Sequence, residues 1–459
     1  MTPRLDDKHP FVLLDDARGG KGVARLYRKP VEIIEAWEPE QVADALAAIE
    51  AAVASGRHAA GYIAYEAGFA LEAKLAPLAR EGSAAPLVWF GLFERFHRTD
   101  ARSIPAKLPD PAGAWLGAPR PLIDEAVYRL RIGNIQAYIE AGDIYQANFT
   151  FRATVATQGD PLALYARMRA SSRAGYGGVV FTGERWLLSL SPEMFFASIG
   201  GRLTARPMKG TAARLDDPAE DAAAARGLAE DPKQRAENLM IVDLLRNDLS
   251  RVAEPGSVAV PSLFRVETFP TIHQMTSTVT ARLAGGRSAT DVLRAIFPCG
   301  SITGAPKLRA MEVIDELEER PRGPYTGSIG WLEPGGDAAF NVAIRTLAMT
   351  AGEDGAVLGL GSGIVADSEA GEEWRECLAK GAFVTAGARR FDLFETMRFD
   401  TDEGLVDLER HLARMGASAA ALEFAFDRHA ARNELQAATF GRKGRAMVRL
   451  LLSPTGTMA

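Results

Sequence analysis

Residues 145–156, YQANFTFRATVA, switch the chain from a helical hydrophobic period to a period of two. Tyr145, Ala147, Phe149, Phe151 and Ala153 alternate with Gln146, Asn148, Thr150 and Arg152, which predicts a half-buried strand with one polar face. That polar face either meets water or lines a cavity. The segment before it, DEAVYRLRIGNIQAYIEAG, has helical spacing and a stop at Gly142. A chain that changes period so abruptly must fold as a mixture of helices and strands.

The same alternation recurs along the sequence. RWLLSLSPEMFFA reads as a strand pair interrupted by Pro192, and RLTARPMKGT as a strand ending in a glycine turn. Asp231-Pro232 with Gln234 supplies an N-cap, a proline at the first helical position and a capping partner. The helix they open has the apolar stripe Leu239, Val242, Leu245 and Leu249. Pro306 opens another, burying Leu308, Met311, Ile314 and Leu317. YTGSIGWL and FNVAIRTLAM read as strands, and AVLGLGSGIVADS leads through glycines into the acidic helix EAGEEWRECLAKG. EQVADALAAIEAAVAS is helical, and the Pro-rich residues 105–122 predict a domain boundary or a long surface connection.

With 459 residues, 47% hydrophobic and 24% charged, the chain has apolar material for large cores. A net charge of -6 offers no field for nucleic acid or an anionic membrane. The N-terminal run lacks a signal-peptide core, and no segment approaches a membrane span, so a cytoplasmic location is expected. Cys299 and Cys377 lie far apart without metal-ligand spacing, which argues against a disulfide framework or structural zinc.

Two features point to chemistry. Glu369, Glu373 and Glu376 share one helix face, which is either a solvated face or a metal-binding one. Because Gly361 and Gly363 precede that helix, an anion bridged by Mg²⁺ is a coherent alternative. Lys209, in TARPMKGTAAR, sits at the end of an apolar run where a lysine either points into water or has a task.

SPE at 191–193, PMKGT at 207–211, ENLMIVDLLRNDL at 237–249, HQMTSTV at 273–279, GSITGAPKLRAMEVIDELE at 300–318, YTGSIGW at 325–331, NVAIRT at 341–346 and GSGIVADSEAGEEWRECLAK at 361–380 together resemble the chorismate-utilising enzymes. That family includes anthranilate, isochorismate, salicylate and aminodeoxychorismate synthases. The resemblance implies an α+β fold of two stacked antiparallel sheets flanked by helices, with Mg²⁺ required. It places a synthase core at 1–387, comprising an N-terminal region at 1–104, a linker at about 105–122 and a main catalytic region at 123–387. Among the site residues it implies, Glu237 and Glu376 are the principal Mg²⁺ ligands and Glu373 an acidic neighbour. Tyr325, Arg345, Gly361, Gly363, Lys380 and Thr211 would hold the substrate, Glu193 would be the general acid, and His273 either a site residue or a structural one.

Within the resemblance, Gln146 stands where the water-using members carry a lysine base, so water activation is disfavoured. PMKGT stands where anthranilate synthases read PIAGT, and the lysine variant is similar to the aminodeoxychorismate-forming members. Lys209 is then a nucleophile that attacks chorismate before ammonia arrives. Both cysteines fall inside synthase motifs, so ammonia should come from a separate glutamine amidotransferase or from solution. The alternative is an anthranilate-forming large subunit. VLLDDA departs from the LLES signature of tryptophan-inhibited members, which argues against that feedback.

Beyond residue 387, FDLFETMRFD, DLERHLARMGASAAALEF and RAMVRLLLS read as strand, helix and strand, a small α/β fragment at 388–459. It resembles the start of a class IV aminotransferase-like lyase, and Arg414 matches that family's pyridoxal-phosphate phosphate ligand. The segment expected to carry the Schiff-base lysine is missing, so no functional cofactor site is expected there.

Overall fold

The computed structural model describes residues 5, 8–18, 22–268, 272–387 and 391–459. Among them, two ten-stranded sheets dominate, and every paired strand is antiparallel to its neighbour. The first sheet places Gln146–Val155, Ala356–Ile364, Thr346–Thr350 and Arg185–Ser189 side by side. In the second, Met208–Ala213, Ile272–Arg282, Arg202–Arg206, Met194–Ile199 and Ala338–Asn341 follow one another. Val12, Val180 and Leu187 of the first sheet pack against Tyr62, Trp89 and Ile329 of the second, so the inner faces share a dry core.

Helices cover both outer faces. Glu125–Glu140, Pro161–Ser172 and Lys307–Leu317 bury their apolar sides on the first sheet. Gln41–Ala54, Pro232–Ser250 and Ala289–Ile296 do so on the second. The expected cap is present, since the Asp231 carboxylate accepts the Gln234 N–H at 2.9 Å. On that helix Val242, Leu245 and Leu249 are buried, but Leu239 is exposed and Ile241 takes the inward position. No helix among the described residues is long and apolar enough to cross a membrane.

Two changes of sheet lie side by side, one at the interruption that Pro192 predicts and one inside a run that reads as a single strand. Arg185–Ser189 belongs to the first sheet and Met194–Ile199 to the second, so the chain crosses between them at Ser191, Pro192 and Glu193. FNVAIRTLAM breaks likewise, with Ala338–Asn341 in the second sheet and Thr346–Thr350 in the first. Arg345 adopts φ 49° at that break, a left-handed conformation that costs a non-glycine residue on the order of 1 kcal/mol. The two crossings are bonded together: the Val342 N–H donates to Glu193 O at 3.1 Å, the Leu190 N–H to Arg345 O at 3.0 Å, and Ser191 Oγ to Val342 O at 2.6 Å.

Residues 105–122 do not run free on the surface. Leu108, Ala114 and Leu116 are buried in the first sheet's core, and Arg120–Pro121 pairs with Gln146–Val155. The prolines set short 3-10 turns that lay the segment onto the sheet. At the C-terminal end, Leu393–Asp400, Gly404–Leu405 and Ala446–Leu452 form a three-stranded sheet with its own core under Leu408–Ala421 and Arg428–Thr439.

Phe196 lies directly behind the crossings, fully buried and stacked on Phe340 at 5.3 Å. Phe196→Ala is expected to cost about 3–5 kcal/mol, read as a lowered denaturation midpoint in urea; a loss below about 1 kcal/mol would show that this ring does not anchor the crossings.

Candidate active site

Where the two crossings meet the ends of the sheets, a cavity of about 650 Å³ opens between them. Its walls gather Glu193, Lys209, Thr211, Glu237, Tyr325, Arg345, Gly361, Gly363, Glu373, Glu376 and Lys380. These residues are spread over almost two hundred positions of sequence, and the fold brings them to one place.

Glu193 is set by the first crossing and is 5% exposed. Burial pushes its pKa from the ordinary 4.5 up to about 7, while Ser301 and the charges of Lys209 and Lys380 pull the other way. Such a carboxyl holds a proton near neutrality and can release it to a leaving group. Arg345, on the second crossing, forms no ion pair among the described residues. Burial pulls its pKa down from the usual guanidinium value. An unpaired guanidinium facing a cavity is built for a carboxylate, which its fork can bind with two hydrogen bonds.

Lys209 reaches the cavity through a bulge. Met208 pairs with Thr276 but Thr211 with Gln274, so three steps on one strand match two on the other. Gly210 takes up the extra residue at φ 99°, and a Cβ there would come within 3.1 Å of Gln234 Oε1. The Lys209 ammonium lies 3.0 Å from Glu237 Oε2, on the helix Pro232–Ser250. Opposite, Gly363 has no side chain: a Cβ would stand 3.3 Å from Lys209 Nζ and 2.7 Å from Gln146 Nε2. Gln146 is buried, and its Oε1 has no hydrogen-bond partner. The polar face of its strand thus lines a cavity rather than meeting water.

The helix Ala370–Gly381 presents Glu372, Glu373 and Glu376 to the cavity, whereas Glu369 is its N-cap and does not line it. Partial burial raises the Glu376 pKa, but the Lys380 ammonium at 2.7 Å and the field of Lys209 hold it below the ordinary value. Lys380 also donates to Gly361 O at 3.1 Å. Glu373 accepts a hydrogen bond from Ser368 at 2.8 Å. Among the described residues no three acids, histidines or cysteines are grouped closely enough to hold a metal by themselves. Two carboxylates on facing helices, Glu237 and Glu376, with oxygen as the sole donor type, nevertheless suit Mg²⁺, which completes its shell with substrate oxygens and water.

His273 is not in the cavity. Ile272 and Gln274 line it, and strand alternation turns the residue between them to the opposite face. There His273 bonds Asp221 at 2.9 Å and Thr268 at 3.1 Å, away from the residues that line the cavity. Sequence reasoning missed Ser301, which touches the Glu193 carboxyl, and Lys233, which lines the cavity and pairs with Asp367 at 2.8 Å. Ser301 lies inside GSITGAPK and was open to discovery; the Lys233 contact depends on two distant helix starts. At the C-terminal end Arg414, on the helix Leu408–Ala421, donates to the buried Glu395 of the strand Leu393–Asp400 at 2.6 Å, with His411 at 2.7 Å from the same carboxylate, so its charge is already matched.

Residues 9–386 match the model of the chorismate binding enzyme family, and residues 392–458 that of amino-transferase class IV. The chain belongs to the chorismate binding enzyme family. It is similar to aminodeoxychorismate synthase component 1 of Klebsiella aerogenes, at 49% identity over 253 residues, which cover 55% of this chain and 56% of that one. Anthranilate synthase component 1 of Streptomyces coelicolor is 42% identical over 270 residues, 58% of this chain and 52% of its own. The chain thus spans about half the length of the curated relatives it matches. Anthranilate synthase component I from Streptococcus pneumoniae TIGR4 superposes with a TM-score of 0.69 at 26% identity, covering 79% of this chain and 92% of that one.

The raised pKa of Glu193 has a consequence for stability. Between about pH 4.5 and 7 the native state keeps a proton that the unfolded chain has lost, so stability falls as pH rises through that window. The decline is on the order of 3 kcal/mol at about 1.36 kcal/mol per unit. Glu193→Gln is expected to remove it, so that the variant gains on the parent in melting temperature from pH 5 to pH 8; parallel curves would refute a buried, proton-holding Glu193.

Proposed function

We propose that this chain forms 4-amino-4-deoxychorismate from chorismate and ammonia, as an aminodeoxychorismate synthase component I. The observation that carries this reading is the Lys209 side chain, aimed by its bulge into the cavity that also holds Glu193 and the unpaired Arg345. Arg345, with Lys380 and the open backbone at Gly361 and Gly363, would take the substrate carboxylates, and Tyr325 and Thr211 would bound the ring. Mg²⁺ on Glu237 and Glu376, with Glu373 acting through water, would supply positive charge against those carboxylates.

In this reading the neutral Lys209 amine forms an N–C bond at ring C2. The ring electron pairs shift, the C4–O bond breaks, and Glu193 gives its proton to the hydroxyl, which leaves as water. Ammonia then bonds to C4, the electron pairs return, and the C2–N bond breaks to restore the lysine. The excess proton on the new amine goes back to Glu193. Ammonia would come from a separate glutamine amidotransferase, because the chain's two cysteines are poor nucleophiles: both are buried, and burial pushes the Cys299 thiol up to about 12. Free, buried thiols also accord with a cytoplasmic location.

Incubation with chorismate, Mg²⁺ and ammonia, followed by mass identification of products, is expected to give aminodeoxychorismate. Without ammonia, peptide mass spectrometry is expected to find an adduct on Lys209 that Lys209→Ala abolishes. Anthranilate as the main product would favour the other branch of the family. An unmodified Lys209 with undiminished product from Lys209→Ala would overturn the nucleophile.

The metal assignment has its own check. Excess chelator is expected to suppress turnover, and Glu376→Gln to raise the Mg²⁺ requirement by more than about tenfold. Full activity in chelator would remove the metal from the site.

A further inference from the structure

A second cavity, of about 380 Å³, shares a wall with the first: Tyr325 and Gly359 line both. The Tyr325 ring lies directly over Gly359, where a Cβ would stand 2.1 Å from its Cδ1, so the ring is a fixed partition between the two spaces. Most of the second lining is apolar, from Phe69, Leu87, Ile314 and Met349 among others. Its volume falls in the range of about 300–1,000 Å³ that holds small ligands.

Three arginines of this cavity, Arg152, Arg185 and Arg320, form no ion pair among the described residues. The acids beside them are committed elsewhere. Asp315 pairs with Arg80 at 2.8 Å and Glu318 with Arg322 at 2.7 Å, while Glu66 accepts the backbone N–H groups of Arg322 and Gly323 at 2.5 and 2.9 Å. Glu81, the remaining acid, is exposed. Arg152 and Arg185 donate to the backbone carbonyls of Pro321 and Ala84. Burial and the like charge of Arg320 lower the Arg152 pKa, partly offset by the fields of Glu66 and Glu318.

Tyr65 supplies the second observation. Its side chain lines the cavity and is 2% exposed, yet its hydroxyl has no hydrogen-bond partner. Arg322 at 4.3 Å and Phe69 at 5.9 Å fix the ring. A buried hydroxyl left without a partner costs about 1–3 kcal/mol, a penalty that phenylalanine would avoid.

We infer that this cavity is a second ligand site for a small planar aromatic carboxylate, held by Arg152 and Arg320 at its charged end and by the Tyr65 hydroxyl, and coupled to the first cavity through Tyr325. The inference rests on the second cavity's own residues and stands apart from the reaction proposed above. An aromatic ring suits the apolar walls, and a single carboxylate matches guanidinium groups that lack an acid.

Fluorine NMR of 4-fluorobenzoate titrated into the full chain tests it. Saturable binding is expected, weakened at least tenfold by Arg152→Gln with Arg320→Gln and severalfold by Tyr65→Phe, retained in Arg345→Gln, and shifted by saturating chorismate to a new finite affinity rather than competed away. Tyr65→Phe removes a hydroxyl without orphaning another group, so it should fold, with an unchanged or higher melting temperature. Displacement by chorismate with loss in Arg345→Gln would place the probe in the first cavity and overturn the site, as would binding indifferent to the arginine pair. Binding unchanged in Tyr65→Phe would mean that the hydroxyl meets water instead and would overturn its role. Calorimetric chorismate affinity, measured without ammonia, is expected to change when the probe saturates the parent but not the arginine variant; no change in the parent would overturn the coupling.

Discussion

The paired crossings between the sheets are the constraint on which the site depends. A strand that leaves one sheet must find new partners for its backbone groups or leave them unsatisfied, and here each crossing satisfies the other. The bonds joining Val342 to Glu193, Leu190 to Arg345 and Ser191 to Val342 close that account. The result is an acid and a guanidinium fixed by backbone rather than by flexible side-chain contacts. The left-handed φ at Arg345 and, beside Tyr325, at Thr326 shows that the backbone tolerates local strain where the fold needs a sharp change of direction.

Every cation of the cavity but one faces a carboxylate. Lys209 faces Glu237, Lys380 faces Glu376 and Lys233 faces Asp367, which leaves Arg345 unmatched among the described residues. A dicarboxylate entering alone would take up Arg345 and add net negative charge beside five glutamates. Entering with a divalent cation, it brings none. The lysines paired with Glu237 and Glu376 hold the places that a cation on those carboxylates would contest, so a metal bound there would have to displace them, and its binding would be coupled to their release. That coupling follows from the short Lys209–Glu237 contact, whichever product the chain makes.

Much of this was legible in sequence. The helix opened by Asp231, the polar strand face at Gln146 and the glycine-led acidic helix were local patterns, and the structure keeps all three. What failed was non-local. FNVAIRTLAM reads as one strand because it has no proline or glycine to interrupt it, and the flip of its apolar phase from Phe340, Val342 and Ile344 to Leu347 and Met349 does not say that two sheets divide it. His273 sits among motif residues, yet which face of its strand meets the cavity is set by the packing of the sheet and not by the motif, and that face carries Ile272 and Gln274. Glu369 shares helix spacing with Glu373 and Glu376 but falls at the cap, where the face has not begun. Leu239 fits the stripe by number, although the helix turns Ile241 inward instead.

The bulge also explains why a lysine in an apolar strand resists reading as an isolated residue. A regular strand ending at Gly210 would give Lys209 a face set by simple alternation, and water would be the ordinary destination of its charge. An extra residue re-aims the side chain, and only glycine accepts both the φ of 99° and the approach of Gln234 and Met275. Lysine and glycine therefore act as one unit: the glycine makes the bulge, and the bulge delivers the amine beside Glu237 and opposite the bare backbone of Gly363. A side chain at Gly363 would crowd the amine itself, and one at Gly210 would strain the bulge that aims it, while leaving every charged residue intact, so the shape of this wall depends as much on two missing Cβ atoms as on the lysine.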